Sequence, residues 1–322
     1  MKVSGRLVAL ASATVITLAT ACLLVVYTAD AGTGAADAPM PPGTPETTAP
    51  TSAPATPSST RTSATPSPRR TSGRSPSPTS TGGGGAGDLT MAVKKDLALQ
   101  LVSSAENSSL NWRAQYGYIQ DIGDGRGYTA GLVGFCSATG DMLEVIDRYT
   151  KLSASNTLAG YRPALRTVDG SDSHAGLDPN FPNAWRAAAA DPLFQQAQDA
   201  ERDTVYFNPA VAQAKADGLR ALGQFAYYDA MVMHGPGSDA TSFGGIRKAA
   251  MSHAKTPAQG GSETTYLAAF LDARVAAMRT DGAHSDTSRV DTEQRAFLQA
   301  GNLDLSTPLT WKVYGDTYTI TG

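Results

Sequence analysis

Residues 101–144 read LVSSAENSSLNWRAQYGYIQDIGDGRGYTAGLVGFCSATGDMLE, and a change of period inside this stretch decides the fold. Up to Ala105, the apolar residues Val93, Leu97, Leu101, Val102 and Ala105 recur at helical spacing, which predicts a helix over residues 91–105. Glu106 falls where that helix ends, before Asn107-Ser108-Ser109. From Tyr116 the pattern changes to aromatic and β-branched residues on either side of Gly123-Asp124-Gly125-Arg126-Gly127. An Asp-Gly inside a glycine-rich turn between two such runs predicts a β-hairpin over residues 116–135.

Outward from this stretch the chain reads as mostly helical. Helices are expected over residues 141–149, 182–190, 193–202, 264–279 and 292–300, with a strand-like tail over 311–320. Pro209 follows the third of these. Residues 221–234, ALGQFAYYDAMVMH, are apolar nearly all round, the mark of a buried helix. The fold class expected is therefore mainly α, an α+β domain with one small antiparallel sheet near its start. Trp112, Trp185 and Trp311 read as core residues rather than sugar-stacking platforms.

Composition divides the 322 residues in two. Of 19 prolines, 11 lie between Pro39 and Pro78, and residues 1–87 contain no Trp or Phe. Lys2 and Arg6 precede an apolar run from Leu7 to Tyr27, and Ala29-Asp30-Ala31 offers small residues for cleavage. Residues 1–31 thus read as a secretory signal or, alternatively, as an uncleaved membrane anchor. Residues 32–87 read as a Pro/Thr/Ser/Gly-rich linker, too poor in apolar surface to offset the entropy of ordering it. The folded domain is residues 88–322, placed outside the cytoplasm. Only Cys136 remains after signal removal, so no internal disulfide is expected.

Six basic against three acidic residues give the first 87 residues a charge of +3, so the formal total of −3 leaves −6 on the domain. An acidic domain is a poor nucleic-acid binder, and its charge suits either plain solubility or a cationic partner. Gly123–Gly127 is not a dinucleotide fingerprint, because a strand follows it. A P-loop, an H-E-x-x-H and a G-x-S-x-G are all absent. The four histidines are scattered, so neither a metal nor a cofactor is expected. What remains is carboxylates. Glu106, on a packed helix in partly apolar surroundings, would stay protonated, while Asp124, exposed on its turn, would stay ionised. Such a pair suits acid–base cleavage of a glycosidic bond, although a solvated helix end and an ordinary turn residue would look the same.

At these residues the sequence strongly resembles the catalytic segment of the family 46 glycoside hydrolases, the chitosanases of soil bacteria. The resemblance continues through GLDPNF, FQQAQDAERD, ALGQFAYYDAMVMHGPG, TSFGGIR, AQGGSETTYL, FLDAR, DTSRVDTEQR and WKVYGD, covering residues 90–318. It implies a lysozyme-like domain of two mostly helical lobes flanking a cleft, with a small sheet beside the cleft. It implies endo-hydrolysis of β-1,4 bonds between glucosamine units of partly acetylated chitosan, with inversion. Glu106 takes the place of the general acid, Asp124 that of the base, and Thr129 that of the residue helping to hold the attacking water. Inversion needs room for that water, with carboxyl groups separated by about 6.5–9.5 Å.

The resemblance also implies a buried Arg–Asp–Arg relay behind the base, at Asp229, Arg274 and Arg289. The residues agree, because an Asp on an otherwise apolar helix needs partners. Asp141 takes the place of an acidic residue that pairs with a glucosamine ammonium, and Tyr118, Arg126, His234 and His284 are further substrate-binding candidates. Acidic residues common before DTSR in the family are here Asp281 and Ser285, which thins the charge there. Chitosan is the expected partner, the chain is expected to be monomeric, and membrane contact is expected only through the N-terminal segment. A peptidoglycan muramidase and an inactive chitosan-binding wall protein are the rivals. Six negative charges argue against the first, and the intact Glu106, Asp124 and Thr129 against the second.

Overall fold

The computed structural model describes residues 88–280 and 286–322. The first 87 residues, with their signal or anchor and linker, lie outside the described residues, as do Asp281, His284 and Ser285. No helix among the described residues is long and apolar enough to cross a membrane.

Helix α1 runs from Ala92 to Asn107 and buries Leu97, Leu101, Val102 and Ala105, four of the five positions of the apolar pattern. Val93 is the exception and is exposed, because the first turn projects beyond the core. Ser108 ends the helix in the left-handed region at φ 48°. A short 3-10 turn, Trp112–Gly117, leads into an antiparallel sheet of β1 (Ile119–Asp121), β2 (Tyr128–Ala130) and β3 (Phe135–Cys136), ordered as in sequence. Asp121 pairs with Tyr128 on the last rung before the glycine-rich loop, and Thr129 pairs with Cys136 across β2 and β3.

Around this sheet pack α2 (Asp141–Leu152), α3 (Arg162–Val168), α4 (Phe181–Ala188) and α5 (Pro192–Arg202). The second group is α6 (Asn208–Ala216), α7 (Ala221–His234), α8 (Phe243–His253), α9 (Glu263–Thr280), α10 (Arg295–Gln299) and the hairpin of β4 (Leu309–Val313) and β5 (Asp316–Ile320). All fourteen residues of α7 are buried, as its apolar composition predicts, and it touches α1, α6 and α8. The fold is mainly α with small antiparallel sheets.

Three helices lie beyond the sequence reading, each for a local reason. α3 spans only seven residues, too short to display a period. α8 begins with Gly244-Gly245, poor helix formers. A Cβ at Gly245 would sit 1.9 Å from the Asp239 carbonyl, so glycine is needed for the loop to pass. α6 continues α5 across a π-helical segment, Asp203–Phe207, so Pro209 does not stop the helix. The wide turn lies just ahead of the proline, where its missing N–H and its ring would otherwise break a regular ladder. The three tryptophans are core residues, as expected, and each indole N–H is satisfied: Trp112 by Asp96, Trp185 by the Tyr116 carbonyl, Trp311 by Ser104.

Candidate active site

Three clusters gather the candidate residues. The first is buried. Glu106, in the last turn of α1, has only 5% of its side chain exposed, and one carboxylate oxygen lies 2.7 Å from the Arg289 guanidinium. Arg289 turns its other amino group to Asp229 at 2.6 Å, and Asp229 also meets Arg274 at 2.6 Å. Gln294 donates to the same carboxylate at 2.6 Å and accepts from Arg274 at 3.1 Å. Burial alone would push the Asp229 carboxyl up, but the two guanidiniums outweigh it and hold it at about 2. A second π-helical segment, Arg289–Gln294, turns Arg289, Glu293 and Gln294 all inward. Glu293 is pushed up by its burial and by the charge of Asp229. The β4–β5 turn braces this segment, with the Tyr314 N–H donating to Ser288 Oγ at 2.9 Å.

Three expectations change here. Glu106 faces a guanidinium, a charge the partly apolar surroundings expected of it did not include. The relay, expected behind Asp124, meets Glu106, because Arg289 lies on an element that packs beside the end of α1 rather than against the hairpin. His234, expected to touch sugar, is buried at the end of α7 and accepts from Arg274 Nε at 3.4 Å.

The second cluster is local. Asp124 lies on the exposed loop between Gly123 and Gly125, at φ 72° and 82°, which only glycine adopts without strain. Its carboxylate takes the Arg126 N–H at 3.1 Å and the Arg126 guanidinium, including Nε at 3.0 Å. Tyr118 is half-buried nearby, its hydroxyl pushed up by burial and by the Asp124 charge.

The third cluster links Thr129 to Asp141 through Cys136. Thr129 Oγ1 lies 3.5 Å from the Cys136 thiol, and the Cys136 N–H donates to Asp141 Oδ1 at 2.8 Å. The Thr129 side chain is fully buried, and Cys136 is the small core residue expected of it. Thr139 and the Met142 N–H also converge on Asp141 Oδ1, at 2.7 and 2.9 Å. Oδ2 accepts no hydrogen bond among the described residues. Burial pushes the Asp141 carboxyl up to about 6 against these three donors.

Gln294, Glu293 and Tyr314 are absent from the sequence reading, and nothing in the local pattern marks them. His284, Asp281 and Ser285 lie outside the described residues. Among the described residues no cluster of His, Cys, Asp and Glu could hold a metal ion.

A carboxyl on a buried helix end and another on a glycine-rich hairpin thus each meet an arginine of their own. The model of glycosyl hydrolase family 46 matches residues 100–309. A chitosanase of Streptomyces sp. (strain N174) is 71% identical over 227 residues, covering 70% of this chain and 82% of its own. The solved structure of chitosanase OU01 with substrate superposes at a TM-score of 0.71 with 62% identity, covering 73% of this chain and 99% of that one. A complex of a Gynuella sunshinyii family 46 chitosanase with chitotetraose superposes at 0.66 with 35% identity, covering 71% and 98%. The chain belongs to glycosyl hydrolase family 46.

Proposed function

We propose that this chain is an endo-acting, inverting chitosanase in which Glu106 is the general acid and Asp124 the general base. The observation that carries the reading is the ion chain ending on Glu106. As the proton leaves for the glycosidic oxygen, Arg289 is placed to stabilise the carboxylate that forms, and Asp229 tempers the same guanidinium. Asp124, oriented by Arg126, takes the proton of the attacking water. Thr129 supports that water's position, and the uncommitted Oδ2 of Asp141 is available to a substrate ammonium. Tyr118 and Arg126 complete the substrate contacts, with His284 as a further one. Residues 1–31 export the chain or anchor it, and residues 32–87 form its linker.

Reducing ends released from chitosan, fully acetylated chitin and cell walls test the reading. Glu106→Gln and Asp124→Asn should each lower chitosan turnover by more than about 100-fold. Release from walls but not from chitosan points to a muramidase, and no release from any of the three points to a binding protein. Near-normal turnover in either variant overturns the role assigned to that residue.

A further inference from the structure

Beneath the Asp124 loop lies a cluster that the hydrolytic reading leaves unused. His174, in the segment between α3 and α4, stacks on Tyr128 with ring centroids 4.0 Å apart and planes 10° from parallel. Its Nε2 lies 3.4 Å from Asp121 Oδ2 and its Nδ1 3.5 Å from Asp178 Oδ2. The Tyr128 hydroxyl closes the ring of contacts by donating to Asp178. The two carboxylates face opposite nitrogens of one imidazole, so a single metal ion could not take them together with the ring. The arrangement is a clamp.

Its position gives the clamp a use. Asp121 and Tyr128 are the two members of the last rung before the loop. Asp121 Oδ1 accepts the Gly123 N–H at 2.8 Å, one residue before Asp124. At the far end of the loop, a Cβ on Gly127 would meet Ser137 Oγ at 2.4 Å and the Asp172 carbonyl at 3.6 Å. The segment carrying His174 thus passes close to both ends of the loop.

We propose that His174 is a positioning residue for Asp124: its ring ties the last rung of the hairpin to the segment before α4 and fixes the backbone from which the carboxylate projects. The groups that face it are Asp121 from β1, Tyr128 from β2 and Asp178 from its own segment, with Arg186 of the adjacent α4 bonded to the Ile119 carbonyl. The inference rests on the reading of Asp124 as the base.

The test compares kcat and KM on a soluble glucosamine oligomer. His174→Phe keeps a ring on Tyr128 and removes both contacts to carboxylates. Its kcat should be about 3- to 10-fold below wild type, with KM changed less than about two-fold. Asp121→Asn, which keeps His174 but weakens its contact with the hairpin, should show the same split and serves if the first variant folds poorly. A wild-type kcat in both variants, or a change confined to KM, overturns the inference. If Asp124→Asn is inactive while both clamp variants keep a wild-type kcat, only the clamp fails; if Asp124→Asn is active, the reading of the base fails.

Discussion

Glu106 and Asp124 lie eighteen residues apart, yet they are held by opposite means. Glu106 depends on residues from α7, α9 and the π-helical segment, all buried, and all distant in sequence. The Asp124 carboxylate itself is gripped by a residue two positions away, on a loop whose glycines let the chain turn. The carboxyl proposed as the acid is a product of tertiary packing, and the one proposed as the base is a product of turn chemistry. Damage to the acid's support should therefore appear in stability as well as rate, whereas damage to the base's support should appear in rate alone.

The largest expected effect breaks the buried side. Asp229→Asn leaves Arg274 and Arg289 buried without their shared counter-ion, and removing one member of such a network costs about 3–5 kcal/mol. Thermal unfolding should record a large fall in Tm together with lost activity. Asp229 is held well below the usual carboxylate range, so its contribution is complete above the unfolded value. It is lost only as pH falls toward about 2, and the penalty of the substitution should be uniform across neutral pH. A variant with wild-type Tm would show that the network is dispensable and would remove the contrast between the two carboxyls.

The matching change on the local side is Arg126→Gln. It removes the guanidinium that fixes the carboxylate but leaves the loop backbone intact. Turnover should fall by about 10-fold or more, while stability should fall by much less than for Asp229→Asn, because the Arg126–Asp124 pair lies within one loop. Loss of stability comparable to that of Asp229→Asn would mean that the loop is tied into the core more firmly than its contacts indicate.

The same contrast explains what could be read in the sequence. Glu106, Asp124, Thr129 and Asp141 fall in one stretch of 44 residues, and a change from helical to hairpin periodicity marks it. Asp229 announced a need for partners by standing alone on an apolar helix. Which carboxylate Arg289 would reach is a matter of how α1 packs beside the π-helical segment, and no local period carries that. Both π-helical segments follow neither a 3.6-residue nor a two-residue repeat. For that reason neither the helix that continues through Pro209 nor the first turn of Arg289–Gln294 left a periodic signal. His174 gave no signal, since its partners come from two strands and its own loop.

Asp141 stands between the two regimes and supplies the smallest effect. Three donors from its own turn orient it, as with Asp124, but burial lifts its carboxyl to about 6, as befits the interior. A folded value above the unfolded one means that the native state binds the extra proton between about pH 4 and 6. Stability from this group is therefore fully present below that window and declines as pH rises through it. Because Asp141 keeps part of its surface in water, the decline is about 1 kcal/mol rather than the full value of a sealed site. Asp141→Asn should flatten this part of the curve of Tm against pH, by about 2–4 °C for a domain of this size. A cationic substrate resting on Oδ2 would favour the ionised form, so wild-type binding should release a proton near pH 6 that the Asn variant does not. Calorimetry in buffers of different ionisation enthalpy measures that proton directly. Its absence in the wild type would leave Asp141 as a turn anchor of the same local kind as the Asp124 loop, with no part in holding the sugar.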